Sequence, residues 1–214
     1  ELDFRDKIVM ELGCGPHLGF GPLALYLGAK KFIAVDPTAN KKVFESNKLI
    51  DNYFRMLFKD YNGIFRNQIT FDSYLQIIKN NTLIYNNTKF IPQDFHSKID
   101  IQLSNSCLEH IENLEEVLLD LNKFISPKGR YIHVVDFGNH MKTSNPFNEI
   151  YNTTPDKFKI KYGNKINLIP PSKILNMFTN TGFNNPSLIP YYYYKEDYEF
   201  EIKEYWNKNL EESD

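Results

Sequence analysis

The feature that constrains this chain most is the apolar run Ile8-Val9-Met10, followed at once by Glu11-Leu12-Gly13-Cys14-Gly15. A short apolar run closed by glycines reads as a buried strand ending in a tight turn, because glycine turns where a Cβ would clash. A second apolar run, Phe32–Val35, ends in Asp36, about 20 positions beyond the glycines. Strand, glycine turn and second strand ending in an acid make an adenosine-type cofactor site. The turn lets backbone approach the ligand, and the acid receives ribose hydroxyls.

Strand patterns recur at Lys7–Met10, Phe32–Val35, Lys89–Ile91, Ile99–Leu103 and Arg130–Val135, with helical patterns between most of them. That alternation implies an α/β fold, a mostly parallel sheet covered on both faces. Pro22 suits an early helical position and Gly28 a stop. Asn113 can cap a helix whose apolar stripe is Leu114, Val117, Leu118, Leu121 and Phe124, with Glu116 three residues past the cap. Ser126-Pro127-Lys128-Gly129 then turns the chain into the fifth strand. Residues 41–88 read as a helical insertion, since Ile50, Tyr53, Phe54, Leu57 and Phe58, and then Phe71, Tyr74, Leu75 and Ile78, keep helical spacing. Past Pro170-Pro171, Ser172 caps a helix that buries Ile174, Met177 and Phe178 and ends at Gly182. Tyr191–Tyr194 reads as a late strand, and Tyr198, Ile202, Tyr205 and Trp206 keep helical spacing. Residues 141–214 would form the substrate side and cover.

A length of 214 residues with 42% hydrophobic content suits one domain, 1–214. The net charge of −2 with mixed signs favours neither nucleic acid nor an anionic membrane as partner. Apolar stretches are too short to span a bilayer, and the expectation is a cytoplasmic protein. Cys14 and Cys107 read as two buried thiols in a reducing compartment.

Glycine spacing separates two cofactors that share this architecture. A dinucleotide site wants G-x-G-x-x-G, and Leu18 stands at the third glycine. S-adenosylmethionine has no phosphate to seat, and Glu11 suits its cationic amino acid end, directly or through backbone and water. The segment KIVMELGCGPHLG resembles the first motif of class I S-adenosylmethionine-dependent methyltransferases, [D/E]-x-G-x-G-x-G, with His17 at the last glycine position. The segment IDIQLSNSCLEHIENLEEVLLDLNKFISPKGRYIHVVDF resembles the fourth-to-fifth-strand stretch of the same family, and the two resemblances cover about 7–136. Together they imply a Rossmann-like class I methyltransferase fold with S-adenosylmethionine as cofactor and S-adenosylhomocysteine as product. They also imply a binding set of Glu11, Gly13, Cys14, Gly15 and His17 after the first strand, Asp36 and Pro37 after the second, and Ser104 after the fourth. Asp94 and Phe95 match the family position that receives the adenine.

Methyl transfer from a sulfonium is an in-line displacement, and a hydroxyl acceptor must also lose a proton, for which histidine is suited near neutral pH. Asp136 to His140, DFGNH, resembles the D-x-x-D-H of some bacterial small-molecule methyltransferases, with Asn139 in place of the second acid. His140 is the expected base, with His110, Glu109 and Asp136 shaping or polarising the acceptor site; His133 reads as packing. No metal is expected, because Glu109 with histidines is a thin donor set for a hard cation and Ser106 stands where metal-binding relatives carry a glutamate. The acceptor implied by the overall resemblance is a small carbohydrate, a sugar or nucleotide sugar of bacterial capsular or surface polysaccharide synthesis. Two rivals are an NAD-dependent oxidoreductase and a catalytically silent methyltransferase-like subunit that binds a partner through its aromatic insertion.

Overall fold

The computed structural model describes residues 2–139, 145–190 and 201–211. The expected strand Tyr191–Tyr194, along with Tyr198 and His140, lies outside the described residues. The chain divides into two compact units, one running to Asn105 and including Lys123–Val134, the other made of Ser106–Asn122 and the residues from Val135 onward.

In the first unit, five strands among the described residues form one parallel sheet: β1 (Ile8–Leu12), β2 (Lys31–Val35), β3 (Thr82–Tyr85), β4 (Ile99–Asn105) and β5 (Ile125–Val134). Their order is β3-β2-β1-β4-β5, so the chain builds outward from β1 on one side and then returns to lay β4 on the other. Strand order therefore reverses between β1 and β4, the place where open parallel sheets bind ligands at their carboxyl ends. Leu12 pairs in register with both Val35 and Ser104, so the ends of three strands meet there.

Four expected elements differ. The third strand is Thr82–Tyr85 rather than Lys89–Ile91, so the helical insertion ends at Asn81 and a β-branched and aromatic run follows it directly. Residues 88–90 form a 3₁₀ turn instead, because the Asn87 side chain accepts from the Lys89 N–H and holds the backbone in a tight bend. The helix after Pro170 starts at Pro171 with no side-chain cap, and Ser172 is buried within its first turn; proline at the first position presets φ and needs no donor there. Ser126–Gly129 lies within β5 as an irregularity of the ladder: Ile99 pairs with Ile125 and Ile101 already with Arg130.

Other elements fall where expected, with Val117 and Met177 half-buried at the edges of their helices and Ile202 exposed ahead of the short helix Glu204–Asn207. Gly21–Tyr26 is helical with Pro22 in its first turn, and Gly182 follows the helix Pro171–Asn180 with φ 92. In the helix Leu114–Phe124, Leu114, Leu118, Leu121 and Phe124 are buried, and the Val117 N–H donates to the Asn113 carbonyl. Cys14 is buried as expected, whereas Cys107 is only half-buried, since it stands on the loop past β4 rather than inside a strand.

The insertion packs by its aromatic rings. Tyr74 of the helix Phe71–Asn81 is fully buried and meets the rings of Tyr26, Phe58, Tyr61 and Phe71 at centroid distances of 5.4–6.5 Å. Its hydroxyl is buried with no hydrogen-bond partner among the described residues, and burial pushes its pKa far up. A buried orphan hydroxyl costs roughly 1–3 kcal/mol, whereas the ring alone is favourable. Tyr74→Phe should therefore raise stability by about 1 kcal/mol, seen as a higher urea midpoint at unchanged slope; a lower midpoint would show that the hydroxyl has a partner in solution.

Candidate functional site

The loop that follows β1 is held by two carboxylates. Glu11, next to last in β1, is 2% exposed, and its Oε2 accepts the Phe20 N–H at 2.7 Å, just before the helix Gly21–Tyr26. Gly19 has φ 46, and a Cβ there would fall on the Glu11 carboxylate, so both backbone shape and space demand glycine. Asp36, one residue past β2, accepts the Gly15 N–H on Oδ2 at 2.9 Å and the Thr38 N–H and hydroxyl on Oδ1 at 2.7 and 2.5 Å. The Gly13 N–H donates to the Val35 carbonyl at 2.8 Å, completing the tie between the two strand ends. Gly15 is left-handed, with φ 64, and the space where its Cβ would stand is open.

Burial pushes the Glu11 carboxyl up from 4.5 to about 7; the Phe20 N–H opposes the rise and the charge of Asp36 adds to it. Burial likewise pushes the Cys14 thiol far up, so this cysteine stays protonated and unreactive at neutral pH.

His17 is not among the residues with positive φ; the left-handed position falls on Leu18, with φ 71, which is fully buried. A histidine therefore fits the motif's last glycine position without strain. His17 is exposed, its ring lies 5.2 Å from that of Tyr53, and the Tyr53 hydroxyl donates to the His17 carbonyl at 3.1 Å. Tyr53, Thr38 and Phe20 hydrogen-bond to this loop and its two carboxylates, and sequence reasoning missed them. Thr38 could have been found from its place two residues past the acid, where an Asx turn forms. Phe20 acts through its backbone and leaves no side-chain signal. Tyr53 was hidden among aromatics at helical spacing.

Of the other expected cofactor residues, Pro37 and Asp94 are exposed and Phe95 is half-buried on a 3₁₀ turn, Gln93–Phe95. Ser104 is buried at the end of β4, and its hydroxyl lies 2.8 Å from His133 Nδ1. Burial pushes His133 down to about 4, so the imidazole is neutral near pH 7 and its place on β5 is one of packing.

In the second unit, Glu109 is 3% exposed and its Oε1 accepts the Asp136 N–H at 3.2 Å. The Asn167 N–H donates to the Glu109 carbonyl, and its side-chain amide donates to the carbonyls of Leu108 and Ile111, fixing the turn that carries Glu109 and His110. His110 is exposed and its Nδ1 lies 2.5 Å from the Lys165 carbonyl; a carbonyl only accepts, so Nδ1 carries the proton. A shallow open pocket is lined by Glu109, Asp136, Asn167, Phe137, Tyr151 and Trp206 among others. Trp206 belongs to the helix Glu204–Asn207, and its indole N–H donates to the carbonyls of Ile150 and Thr153, while its buried ring packs edge-on against Tyr151. Among the described residues no group of His, Cys, Asp and Glu could hold a metal ion, and no helix is long and apolar enough to cross a membrane.

Residues 1–188 match the family model described as a methyltransferase domain. The chain belongs to that family. Solved structures similar to this methyltransferase domain include the S-adenosylmethionine-dependent methyltransferase of Mesorhizobium loti, 13% identical over 85% of this chain and 76% of that one, with a TM-score of 0.49. The YcgJ protein of Bacillus subtilis is 14% identical over 83% of this chain and 62% of its own, with a TM-score of 0.47. Phosphoethanolamine N-methyltransferase 2 of Haemonchus contortus, solved with S-adenosyl-L-methionine, is 13% identical over 83% of this chain and 33% of its own, with a TM-score of 0.50. The chain thus spans from a third to three quarters of the length of these structures. No curated protein matches it. At such identities the likeness is one of fold, the Rossmann-like class I methyltransferase fold, which the parallel order β3-β2-β1-β4-β5 shares.

The raised Glu11 pKa has a measurable consequence. A carboxyl whose folded-state value exceeds its unfolded one favours folding fully below about 4.5, and that contribution fades as pH rises to about 7. Glu11→Gln keeps an acceptor for Phe20 and removes the charge. Without ligand, the variant should gain on the wild type by roughly 3 kcal/mol between pH 4.5 and 8. Equal pH dependence of the two unfolding free energies would place the Glu11 pKa near its ordinary value.

Proposed function

We propose that this chain is an S-adenosylmethionine-dependent O-methyltransferase acting on a hydroxyl of a small polar acceptor, a sugar or nucleotide sugar of bacterial capsular or surface polysaccharide synthesis. The observation that carries the reading is the cradle after β1: an open left-handed Gly15 tied to Asp36, above a buried carboxylate at the sheet's switch point. The donor set fits this cofactor. A buried carboxyl that a neighbouring cation would draw into its charged form suits a cationic ligand without phosphates, and Leu18 fills the position where a dinucleotide loop needs glycine. When bound, S-adenosylmethionine supplies a methyl group on a positively charged sulfur.

The chain's residues then have distinct tasks. Asp36 Oδ1 already takes two bonds from Thr38, so a ribose hydroxyl would be received at Oδ2, beside the Gly15 N–H. Glu11 acts through the backbone, since its carboxylate is buried against the Phe20 N–H, and its charge favours a cation near the loop. Asp94 and Phe95, on their exposed turn, are proposed to face the adenine. The pocket of the second unit is proposed as the acceptor site: Tyr151 and Phe137 give apolar wall for the C–H face of a sugar ring, and Glu109, Asp136 and Asn167 supply polar groups for its hydroxyls. His140 is proposed to take the hydroxyl proton as the new carbon–oxygen bond forms and the carbon–sulfur bond breaks, leaving S-adenosylhomocysteine.

Calorimetry should show binding of S-adenosylhomocysteine, weakened about 10- to 100-fold in Asp36→Ala through loss of roughly 1.5–3 kcal/mol of hydrogen bonding. Binding of NAD with none of S-adenosylhomocysteine would overturn the cofactor. His140→Ala should abolish methyl transfer to a panel of nucleotide sugars while keeping cofactor affinity. Wild-type turnover in that variant would remove His140 as base, and transfer to amines alone would replace the hydroxyl acceptor.

A further inference from the structure

The loop after β1 departs from its family motif at His17, and the departure has a partner in the insertion. Residues Ile50–Phe54 form a π-helical turn between two α-helical stretches, Asn47–Leu49 and Arg55–Phe65. A π turn adds a residue to the helical circuit and so redirects the side chains around it, and such turns are frequent at functional sites. Here its two last residues have different surroundings. Phe54 is fully buried and stacks on Phe44 at 5.9 Å, anchoring the turn. Tyr53 is half-buried and reaches the loop, with its hydroxyl on the His17 carbonyl and its ring beside the His17 imidazole.

The His17 carbonyl belongs to the peptide that leads into Leu18, a leucine in the left-handed region, where a non-glycine residue costs roughly 1–2 kcal/mol. From there Gly19 and Phe20 run over the Glu11 carboxylate. A bond to that carbonyl therefore holds the strained step of the cradle. From this juxtaposition we infer that Tyr53 is a positioning residue of the cofactor site: by clamping the His17 carbonyl it fixes the loop that receives the amino acid end of S-adenosylmethionine. The inference rests on the cofactor reading above. It gives the aromatic insertion a second role besides packing.

Tyr53→Phe keeps the ring against His17 and removes the bond to its carbonyl, whereas Tyr53→Ala removes both. Titration with S-adenosylhomocysteine should show binding about 5-fold weaker in Tyr53→Phe, the fold-change for one neutral hydrogen bond, and more than 10-fold weaker in Tyr53→Ala. In Tyr53→Phe the melting temperature of the unliganded protein should stay within a degree or so of wild type, while the rise caused by S-adenosylhomocysteine shrinks. Amide exchange at residues 17–20 should also quicken in Tyr53→Phe. Wild-type affinity in both variants would overturn the inference while leaving the cofactor reading intact. Equal loss of unliganded stability and affinity in Tyr53→Phe would reduce Tyr53 to a packing residue. A wild type that binds no S-adenosylhomocysteine would overturn the cofactor reading and this inference together.

Discussion

A carboxylate folded under its own loop is the constraint on which the rest of the first unit depends. Glu11 sits in a strand where every neighbour is apolar, and an ionised carboxylate there is costly unless it is paired with donors or a cation. One donor, the Phe20 N–H, comes from the loop end, and this fixes where the helix Gly21–Tyr26 begins. The path from Gly13 to Phe20 is then short and curved, which forces left-handed residues at Gly13, Gly15, Leu18 and Gly19. Asp36 repeats the device from the neighbouring strand by taking the Gly15 N–H. The two carboxyl groups are thus already oriented by backbone donors, and burial holds that of Glu11 close to the boundary between its neutral and charged forms near pH 7.

The second unit solves its packing with a separate apolar group. Ile150, Phe158, Ile166 and Trp206 form a small core, with Tyr151, Tyr162, Leu168 and Leu210 against it. Trp206 comes from a segment about 50 residues beyond Ile150 and Thr153, the residues whose carbonyls it bonds. One buried indole therefore joins two stretches of chain that are remote in sequence. The polar side of that pocket is rigid for another reason: Asn167 bonds three backbone carbonyls on the turn that carries Glu109.

How much of this was legible in the sequence follows from the range of the forces involved. β1 and β2 were legible because their apolar runs are buried and are closed by glycine or acid, and β4 because Ile99, Ile101 and Leu103 alternate with polar residues. The third strand was misplaced because Thr82–Tyr85 follows a helix without a break, so no turn residue marks the change of period, whereas Lys89–Ile91 had the composition of a strand but a backbone captured by Asn87. Ser172 looked like a cap because it precedes an apolar stripe, yet the proline before it had already set the helical φ. Within the site, Glu11, Gly15 and Asp36 were readable from spacing, since each acts over a short stretch of chain. Tyr53 was not, because its contact with His17 spans 36 positions and depends on a π turn that no pattern of apolar residues encodes.

Most ties that shape the cradle fall between Glu11 and Thr38, namely Glu11 to Phe20, Gly13 to Val35, Gly15 to Asp36 and Asp36 to Thr38, while Tyr53 reaches the His17 carbonyl and the Asp36 N–H the Tyr85 carbonyl from beyond that stretch. β4, by contrast, must return from beyond residue 98 to pair with β1. Contacts between near neighbours in sequence form with little loop-closure entropy, and remote strand pairing comes later at a higher entropic cost. The cradle is thus shaped mainly by contacts between near neighbours in sequence, whereas its place at the switch point waits on the remote pairing of β4 with β1.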